Sequence, residues 1–129
     1  MNHVSLVEGP MRFLLVEDDT AASIDLECIL EDLGHSITAV AATRVRANEA
    51  LRRNLKCIDA AILDADLVGK SSLPVANALR SRGIPCVIAS DLGDDALRRL
   101  GFEGLTVTKP YRADRVASAV ARMRAASAA

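Results

Sequence analysis

Residues 58–69 read IDAAILDADLVG, and this stretch is the strongest indication of the fold class. Its four consecutive apolar residues, 60–63, run directly into Asp64. A short apolar run bounded by turn-forming residues is typical of a strand buried on both faces, as strands are in a parallel sheet. Open α/β sheets bind ligands beyond the carboxyl ends of their strands, so Asp64 is a candidate site residue. Taken alone, the position fits the cap of a loop or helix equally well.

Similar apolar runs recur along the chain and alternate with segments of helical periodicity. Strands are predicted at 12–16, 35–41, 58–63, 86–89 and 105–108, and helices at 21–33, 43–56, 73–82, 94–100 and 112–125. Alternating βα units of this length predict a parallel sheet with right-handed crossovers, and five strands favour the order 2-1-3-4-5. The predicted fold class is therefore α/β: a flavodoxin-like three-layer αβα sandwich with five helices.

The apolar residues of the first two helices predict which faces point inward. They are Ile24, Cys28 and Leu33 in the first helix, and Val45, Ala47, Ala50, Leu51 and Leu55 in the second. The three cysteines, Cys28, Cys57 and Cys86, are far apart in apolar surroundings. They are predicted to be buried small hydrophobes of a reduced protein rather than zinc ligands or disulfide partners.

Composition limits the class of protein. The 129 residues suit one domain, and half of them are hydrophobic, with a mean hydropathy of +0.20. A net charge of −1 gives no electrostatic basis for binding nucleic acid, and no run of apolar residues is long enough for a membrane span. Residues 1–10 lack the features of a signal peptide, so we expect a cytoplasmic protein with an N-terminal extension at 1–10 and one domain at 11–126.

Polar residues follow four of the five predicted strands. Glu17 and Asp18 come after the first strand, Asp64 after the third, Ser90 after the fourth and Lys109 after the fifth. In the predicted topology they share one edge of the sheet. Carboxylates without histidine or thiolate suit a hard ion, Mg²⁺ or Mn²⁺, and the lysine and hydroxyl suit the oxygens of an anion. Together they describe phosphoryl transfer to one carboxylate.

From about residue 12 to residue 123 the chain resembles the receiver domain of response regulators. The matching pieces are LLVEDD at 14–19, EAL at 49–51, DAAILD at 59–64, Ser90, and the pair Lys109-Pro110. The resemblance implies that Asp64 accepts a phosphoryl group from a histidine kinase or histidine phosphotransferase. It implies a Mg²⁺ site formed by Glu17, Asp18, Asp64 and the backbone carbonyl of Asp66. It also implies that Ser90 and Lys109 bind the phosphoryl oxygens.

The implied function is that of a single-domain response regulator in two-component phosphorelay signalling. Such a protein is not an enzyme, apart from dephosphorylating itself. Only 20 residues follow Lys109, enough for the last helix, so the signal is expected to leave through contacts with a downstream protein. The resemblance also allows a homodimer through the face formed by helix 4, strand 5 and helix 5.

The sequence departs from the receiver pattern in two places. Receivers usually carry Leu-Pro-Gly soon after the acceptor, where this chain reads ADLVGKSSLP, and an aromatic residue three positions before the lysine, where it has Thr106. The run IASDLG at 88–93 is similar to the receiver subgroup named FAT GUY after its Phe-Ala-Thr-Gly-x-Tyr motif, without the aromatics. That subgroup is associated with kinases of the HWE type.

Three alternatives stay open at this point. A pseudo-receiver, acting as a partner-binding module or phosphate sink, fits the missing aromatic at Thr106. A phosphatase of the haloacid-dehalogenase type fits the spacing of Asp64 and Asp66, although its nucleophile belongs on the first strand of a larger fold. A flavodoxin-like cofactor binder fits the fold, but acids stand where a phosphate-binding loop is needed.

Overall fold

The computed structural model of the protein describes residues 9–128. The predicted N-terminal extension lies outside this range except for residues 9 and 10. The strands are β1 (Arg12–Val16), β2 (Ser36–Ala41), β3 (Ala60–Asp64), β4 (Asp66–Leu67), β5 (Lys70–Ser71), β6 (Cys86–Ser90) and β7 (Leu105–Thr108). The helices are α1 (Thr20–Asp32), α2 (Arg44–Asn54), α3 (Leu73–Ser81), α4 (Asp94–Arg99) and α5 (Ala113–Ala128), with a short 3-10 helix at Leu55–Cys57. Within residues 9–128, none of the helices has the length and apolarity needed to cross a bilayer.

Five strands form one parallel sheet in the order β2-β1-β3-β6-β7. Counting only the strands of this sheet, the order is 2-1-3-4-5, so the predicted flavodoxin-like topology is confirmed. In the register of neighbouring strands, Val16 lies beside Leu63, Asp64 beside Ala89, and Ser90 beside Thr108. The carboxyl ends of the four strands β1, β3, β6 and β7 therefore meet at one edge.

The sheet separates two hydrophobic cores because successive side chains of a strand point to opposite faces. On β1, Phe13 and Leu15 pack with α1 and α5, whereas Leu14 and Val16 pack with α2, α3 and α4. All five residues of β3 are buried, as expected for the central strand of a parallel sheet covered on both faces. Residues 60–64 of the stretch at 58–69 thus occupy the centre of the fold.

A β-bulge interrupts the edge strand β2. Phe13 pairs with Ile37, but the next residue of β1 pairs with Ala39, which leaves Thr38 as the extra residue. The Thr38 hydroxyl donates a hydrogen bond of 2.6 Å to the backbone carbonyl of Cys57. The bulge reverses the alternation, so Ile37 faces the core beneath α1 and α5, and Ala39 faces the opposite core.

The prediction of which face of α1 is buried is wrong. The helix buries Ser23, Leu26 and Leu30, whereas Ile24 is 53% exposed and Leu33 41% exposed. Leu26 and Leu30 pack against the side of the sheet that carries Phe13 and Leu15. Because α1 carries apolar residues around more than one face, its periodicity alone does not select the stripe that packs.

The prediction for α2 is confirmed in its centre and wrong at its ends. Ala47 and Leu51 are buried and Ala50 packs at the margin of the core. Val45 in the first turn is 69% exposed, and Leu55 is 43% exposed. Leu55 lies in the 3-10 helix after α2, where the α-helical period no longer applies.

The prediction that the cysteines are buried is also wrong. Cys28 and Cys57 are exposed and Cys86 is half-buried, and all three are free thiols. Cys28 belongs to the α1 face that turned out to lie outward, and Cys57 ends the 3-10 helix at the surface. Cys86 opens β6, where the strand enters the core.

Candidate functional site

The strand ends surround an open cleft of about 820 Å³. The structure brings the predicted residues together here: Asp18, Asp64, Asp66, Ser90 and Lys109 line the cleft. Glu17 lies directly beneath it, in contact with Lys109. The remaining lining residues come from the segments that follow the strand ends, namely Asp19, Ala65, Ser71, Asp91, Leu92 and Leu100.

Four side chains form what we call the cleft floor: Glu17, Asp64, Lys109 and Tyr111. The Lys109 Nζ lies 2.9 Å from Asp64 Oδ2 and 2.9 Å from Glu17 Oε1. The Tyr111 hydroxyl donates to Glu17 Oε1 at 3.0 Å, and the Asp19 backbone N–H donates to Glu17 Oε2 at 3.2 Å. Glu17 is 2% exposed and Asp64 6% exposed. Buried carboxylates need hydrogen-bonding partners, and these contacts provide them for both residues.

Sequence reasoning missed Tyr111. Its hydroxyl donates to Glu17, one of the predicted metal ligands. The available signal was its position two residues after Lys109, at the same end of β7 as the rest of the site.

Burial and the neighbouring Glu17 raise the pKa of Asp64 to about 7, against the opposing effects of Lys109 and the Asp66 backbone N–H. That N–H donates to Asp64 Oδ1 at 3.2 Å. Near neutral pH, and without a bound metal ion, the Asp64 carboxyl group is therefore divided between its protonated and ionised forms. Positive charge brought into the cleft would favour the ionised form.

Glu17, Lys109 and Tyr111, unlike Asp64, have pKa values that keep each of them in one protonation state near neutral pH. Burial alone would raise the pKa of Glu17, but hydrogen bonds with Asp64, Lys109, the Asp19 N–H and Tyr111 hold it below its ordinary value. Burial opposes the charge of Lys109, yet the two carboxylates raise its pKa above the usual range. Burial and Glu17 also raise the pKa of the Tyr111 hydroxyl, so it remains a donor. The floor thus keeps a fixed Glu17–Lys109 ion pair beside an Asp64 that can change charge.

The carboxylates fit a hard divalent cation by their chemistry and spacing. One oxygen each from Glu17, Asp18 and Asp64 lie within 4.8 Å of one another. Asp18 lies nearest the surface of the three, and its Oδ2 accepts a 2.8 Å hydrogen bond from the Val68 backbone N–H. An all-oxygen set of this kind is the one that Mg²⁺ and Mn²⁺ prefer.

Val68 belongs to a hairpin that the sequence reasoning treated as a plain loop. Strands β4 and β5 pair antiparallel, with Asp66 opposite Ser71 and Leu67 opposite Lys70. Leu67 is 1% exposed and anchors the hairpin in the core beneath α2 and α3. The hairpin is the wall of the cleft on the Asp18 side.

The loop after β6 lines the cleft through Asp91 and Leu92. We call residues 91–99, which comprise this loop and α4, the outer wall. The Ser90 hydroxyl accepts a 2.9 Å hydrogen bond from the Leu92 N–H, at the start of this wall. The Thr106 hydroxyl donates to Asp94 Oδ1 at 2.7 Å, at the first residue of α4. Thr106, the residue that replaces an aromatic side chain, is therefore tied to α4 by a hydrogen bond.

Comparison with known proteins identifies the family. The solution structure of SdrG from Sphingomonas melonis Fr1 is 36% identical, with a TM-score of 0.70, and the match covers 88% of this chain and 95% of SdrG. The response regulator REC domain of PhyR from Erythrobacter litoralis is 25% identical, with a TM-score of 0.78, over 89% of this chain and 90% of that domain. The chain belongs to the receiver domains of response regulators.

This receiver domain also matches part of a longer protein. The response regulator PhyR from Brucella abortus is 22% identical with a TM-score of 0.76, and the match covers 97% of this chain but 52% of PhyR. At that identity the likeness concerns the fold alone. No protein-family profile matches the chain. No curated protein sequence matches it either.

Proposed function

We propose that this receiver domain accepts a phosphoryl group on Asp64 from the phosphohistidine of a histidine kinase or histidine phosphotransferase. In this proposal it is a cytoplasmic response regulator, with its receiver at residues 11–126, that passes its signal on through protein–protein contacts. The observation that carries the proposal is the position of Asp64, at the end of the central strand, 2.9 Å from the Lys109 ammonium and facing an open cleft.

The chemistry follows from the groups around Asp64. An ionised Asp64 oxygen attacks the phosphorus of the phosphohistidine, a P–O bond forms, and the P–N bond breaks with its electron pair left on the imidazole nitrogen, which takes up a proton from water. Lys109 then binds an oxygen of the transferred group. The Ser90 hydroxyl can donate to another oxygen and keep the Leu92 N–H as its own donor, because a hydroxyl both donates and accepts.

The metal is part of the proposal. Glu17, Asp18, Asp64 and the backbone carbonyl of Asp66 would hold Mg²⁺ or Mn²⁺. Such an ion supplies positive charge that keeps Asp64 ionised and offsets the charge of the phosphoryl oxygens.

Two of the alternatives have less support. Asp64 ends the third strand of the sheet along the chain, rather than the first strand that the haloacid-dehalogenase motif requires, so the fold disfavours a phosphatase using Asp64 and Asp66. A flavodoxin-like cofactor site is disfavoured because Glu17, Asp18 and Asp19 follow β1, and acids repel a phosphate.

Phosphorylation is tested by incubating the protein with acetyl phosphate and Mg²⁺ and measuring its intact mass. We expect one phosphoryl adduct, absent in EDTA and absent in Asp64→Asn. Asp66→Asn is the matched control, because only the backbone of Asp66 takes part, and it should still form the adduct. An adduct that survives in Asp64→Asn contradicts the assignment, and repeated release of phosphate from simple esters would support the phosphatase.

The remaining alternative, a pseudo-receiver or phosphate sink, is tested by beryllofluoride, which mimics a phosphoryl group on the acceptor. We propose that the response is concentrated in residues 91–101, which include α4. Amide chemical shifts should therefore change across this range when beryllofluoride and Mg²⁺ are added. Changes confined to the site residues would favour the non-switching alternative. Signal output through the face of α4, β7 and α5, as a homodimer, would add changes in α5.

A further inference from the structure

The turn of the β4–β5 hairpin contains Val68, a residue whose side chain disfavours the backbone conformation that the turn requires. Val68 has a φ of +52° and Gly69 a φ of +76°, both in the left-handed region. Two successive residues with positive φ define the two-residue hairpin turn that favours Asn-Gly or Gly-Gly. A β-branched residue in that region is a conformational outlier. The Val68 side chain is 64% exposed, so burial of the side chain does not offset the strain.

The chain on both sides of the turn holds it in this conformation. Leu67 is buried in the core, and the Ser72 backbone N–H donates to the Ala65 carbonyl at 2.9 Å, which closes the base of the hairpin. The Arg44 guanidinium of α2 donates to the Ser71 carbonyl at 3.4 Å. Strain that persists at one residue requires surroundings that determine it, and these contacts supply them.

The contact that the strained residue makes is directed at the site. The Val68 N–H donates to Asp18 Oδ2 at 2.8 Å, across 50 positions of the chain. A proline, usual in the Leu-Pro-Gly run of receivers, has no N–H and could not make this bond. Glu17, by comparison, is held by Lys109, Tyr111 and the Asp19 N–H. The two neighbouring acids therefore have separate sources of support, the cleft floor for Glu17 and the hairpin for Asp18.

We propose that Val68 is a positioning residue: its backbone N–H fixes the Asp18 carboxylate for cation binding, and the hairpin is held in a strained turn to present that N–H. The inference rests on the proposed cation site. The bond engages Oδ2 and leaves Oδ1 for a ligand. A carboxylate held in one orientation loses less freedom when it binds a metal, and the partners that orient metal ligands are typically worth 10- to 100-fold in metal affinity.

The test measures Mg²⁺ affinity without any phosphoryl transfer. Tyr111 is the single tyrosine in a chain without tryptophan, and its hydroxyl is bonded to Glu17, so its fluorescence reports on the site. One variant replaces Val68 by its α-hydroxy acid, which puts an ester oxygen in place of the N–H and keeps the side chain. We expect Mg²⁺ to bind this variant about 10- to 100-fold more weakly than wild type.

Val68→Asn is the matched control. Asparagine tolerates the left-handed conformation and retains the N–H, so the Mg²⁺ dissociation constant should stay within about twofold of wild type while the protein melts at a higher temperature. A change in affinity with Val68→Asn equal to that of the ester would assign the effect to the side chain and overturn the proposal. A folded ester variant with wild-type affinity, or with tighter binding, would overturn it as well.

A double-mutant cycle shows whether the N–H acts through Asp18. In an Asp18→Asn background the ester should have no further effect on Mg²⁺ affinity, because the carboxylate that the Val68 N–H positions is gone. An undiminished loss in that background would mean a general effect of the hairpin and would contradict the proposal. Failure of the proposed function is distinguishable: wild-type protein would then show no Mg²⁺ response and no phosphorylation, whereas failure of this inference leaves both intact.

Discussion

The cleft floor and the outer wall meet at the same site but are built in opposite ways. On the floor, Glu17 and Asp64 are buried and share the Lys109 ammonium. In the outer wall, α4 has six residues, is preceded by Gly93 as an N-cap that has no side chain, and buries only Leu97. Its ion pair between Arg98 and Asp95 is exposed.

The contrast separates the chemistry of the site from its response. Charges held in fixed positions suit the binding of a cation and an anion, because no reorganisation is needed when they bind. A short helix with few buried contacts is the element most easily rearranged. The hairpin resembles the floor, since Leu67 anchors it in the core. We therefore expect energetic effects to be largest on the floor and conformational effects to be largest in the outer wall.

The largest expected effect comes from removing the positive charge of Lys109 from the floor. Lys109→Met leaves two buried carboxylates without their shared partner and should lower the free energy of unfolding by about 3 kcal/mol at pH 8 in EDTA. Arg98→Met, which removes the exposed pair of the outer wall, should cost under about 1 kcal/mol. Urea denaturation of both variants measures the difference. Equal losses would contradict the contrast between the floor and the outer wall, because the buried ion pairs would then contribute no more to stability than the exposed one.

The second effect is the pH dependence that Asp64 gives to the metal-free protein. Burial and Glu17 raise the folded pKa of Asp64 to about 7, above its unfolded value, so the folded state binds more protons than the unfolded state between those two values. Stability in EDTA should therefore fall as the pH rises through 7, by about 2 kcal/mol between about pH 5.5 and pH 8.5. Below this range the cost keeps shrinking until the pH reaches the unfolded pKa of about 4.

Asp64→Asn should lack this slope, and the difference between the two proteins isolates Asp64. His35 contributes to the pH dependence with the opposite sign, because burial and Arg124 lower its pKa, but it is present in both proteins. Thermal or urea unfolding at a series of pH values measures the two slopes. Parallel slopes would show that Asp64 is not the group whose charge is penalised.

A third, smaller effect tests the junction between the hairpin and α3, where Ser72 precedes the first residue of the helix. Ser72 is fully buried, and its hydroxyl is the one buried side-chain polar atom among residues 9–128 that has no hydrogen-bond partner. Ser72→Ala should therefore raise the free energy of unfolding by about 1 kcal/mol. Ser23→Ala is the control, since its buried hydroxyl donates to the Thr20 carbonyl at 2.9 Å, and it should bring no comparable gain. A Ser72→Ala protein that melts lower would show that the hydroxyl is satisfied in solution.

The smallest effect concerns the link between β7 and the outer wall. Thr106→Val removes the hydrogen bond to Asp94 with little change of shape. We expect a global loss of about 0.5 kcal/mol and amide exchange about threefold faster in α4. Exchange in β3 should not change, and Thr108→Val on the same strand should leave α4 as it is. Unchanged exchange in α4 would mean that this hydrogen bond does not restrain the outer wall.

The sequence predicted the sheet well because its strands are buried on both faces. Runs such as 60–63 and 86–89 have no polar residue to confuse their assignment, and each ends at a turn-forming or polar residue. The order of the strands then followed from the alternation of strands and helices. The site was predicted for the same reason: strand ends that share an edge bring their polar residues together.

The missed features depend on contacts between segments distant in the chain. The inward face of α1 is chosen by the side of the sheet on which it packs, and Ile24 and Leu26 are equally apolar in sequence. The β4–β5 hairpin was missed because Val68 is a poor turn residue, and the hydrogen bond from its N–H to Asp18 spans 50 positions of the chain. Tyr111 binds Glu17, which precedes it by 94 positions, and no local pattern indicates that contact.

The bulge in β2 has a consequence for how molecules of this protein meet at high concentration. An edge strand offers a row of free peptide groups on which another chain can extend the sheet, and this is a route to aggregation. In β2 the extra residue Thr38 breaks the regular spacing of that row, and bulged strands also twist more strongly. A second copy of the chain therefore finds no continuous strand to pair with along this edge. The bulge is a safeguard of solubility for an edge on which Val40 is 44% exposed.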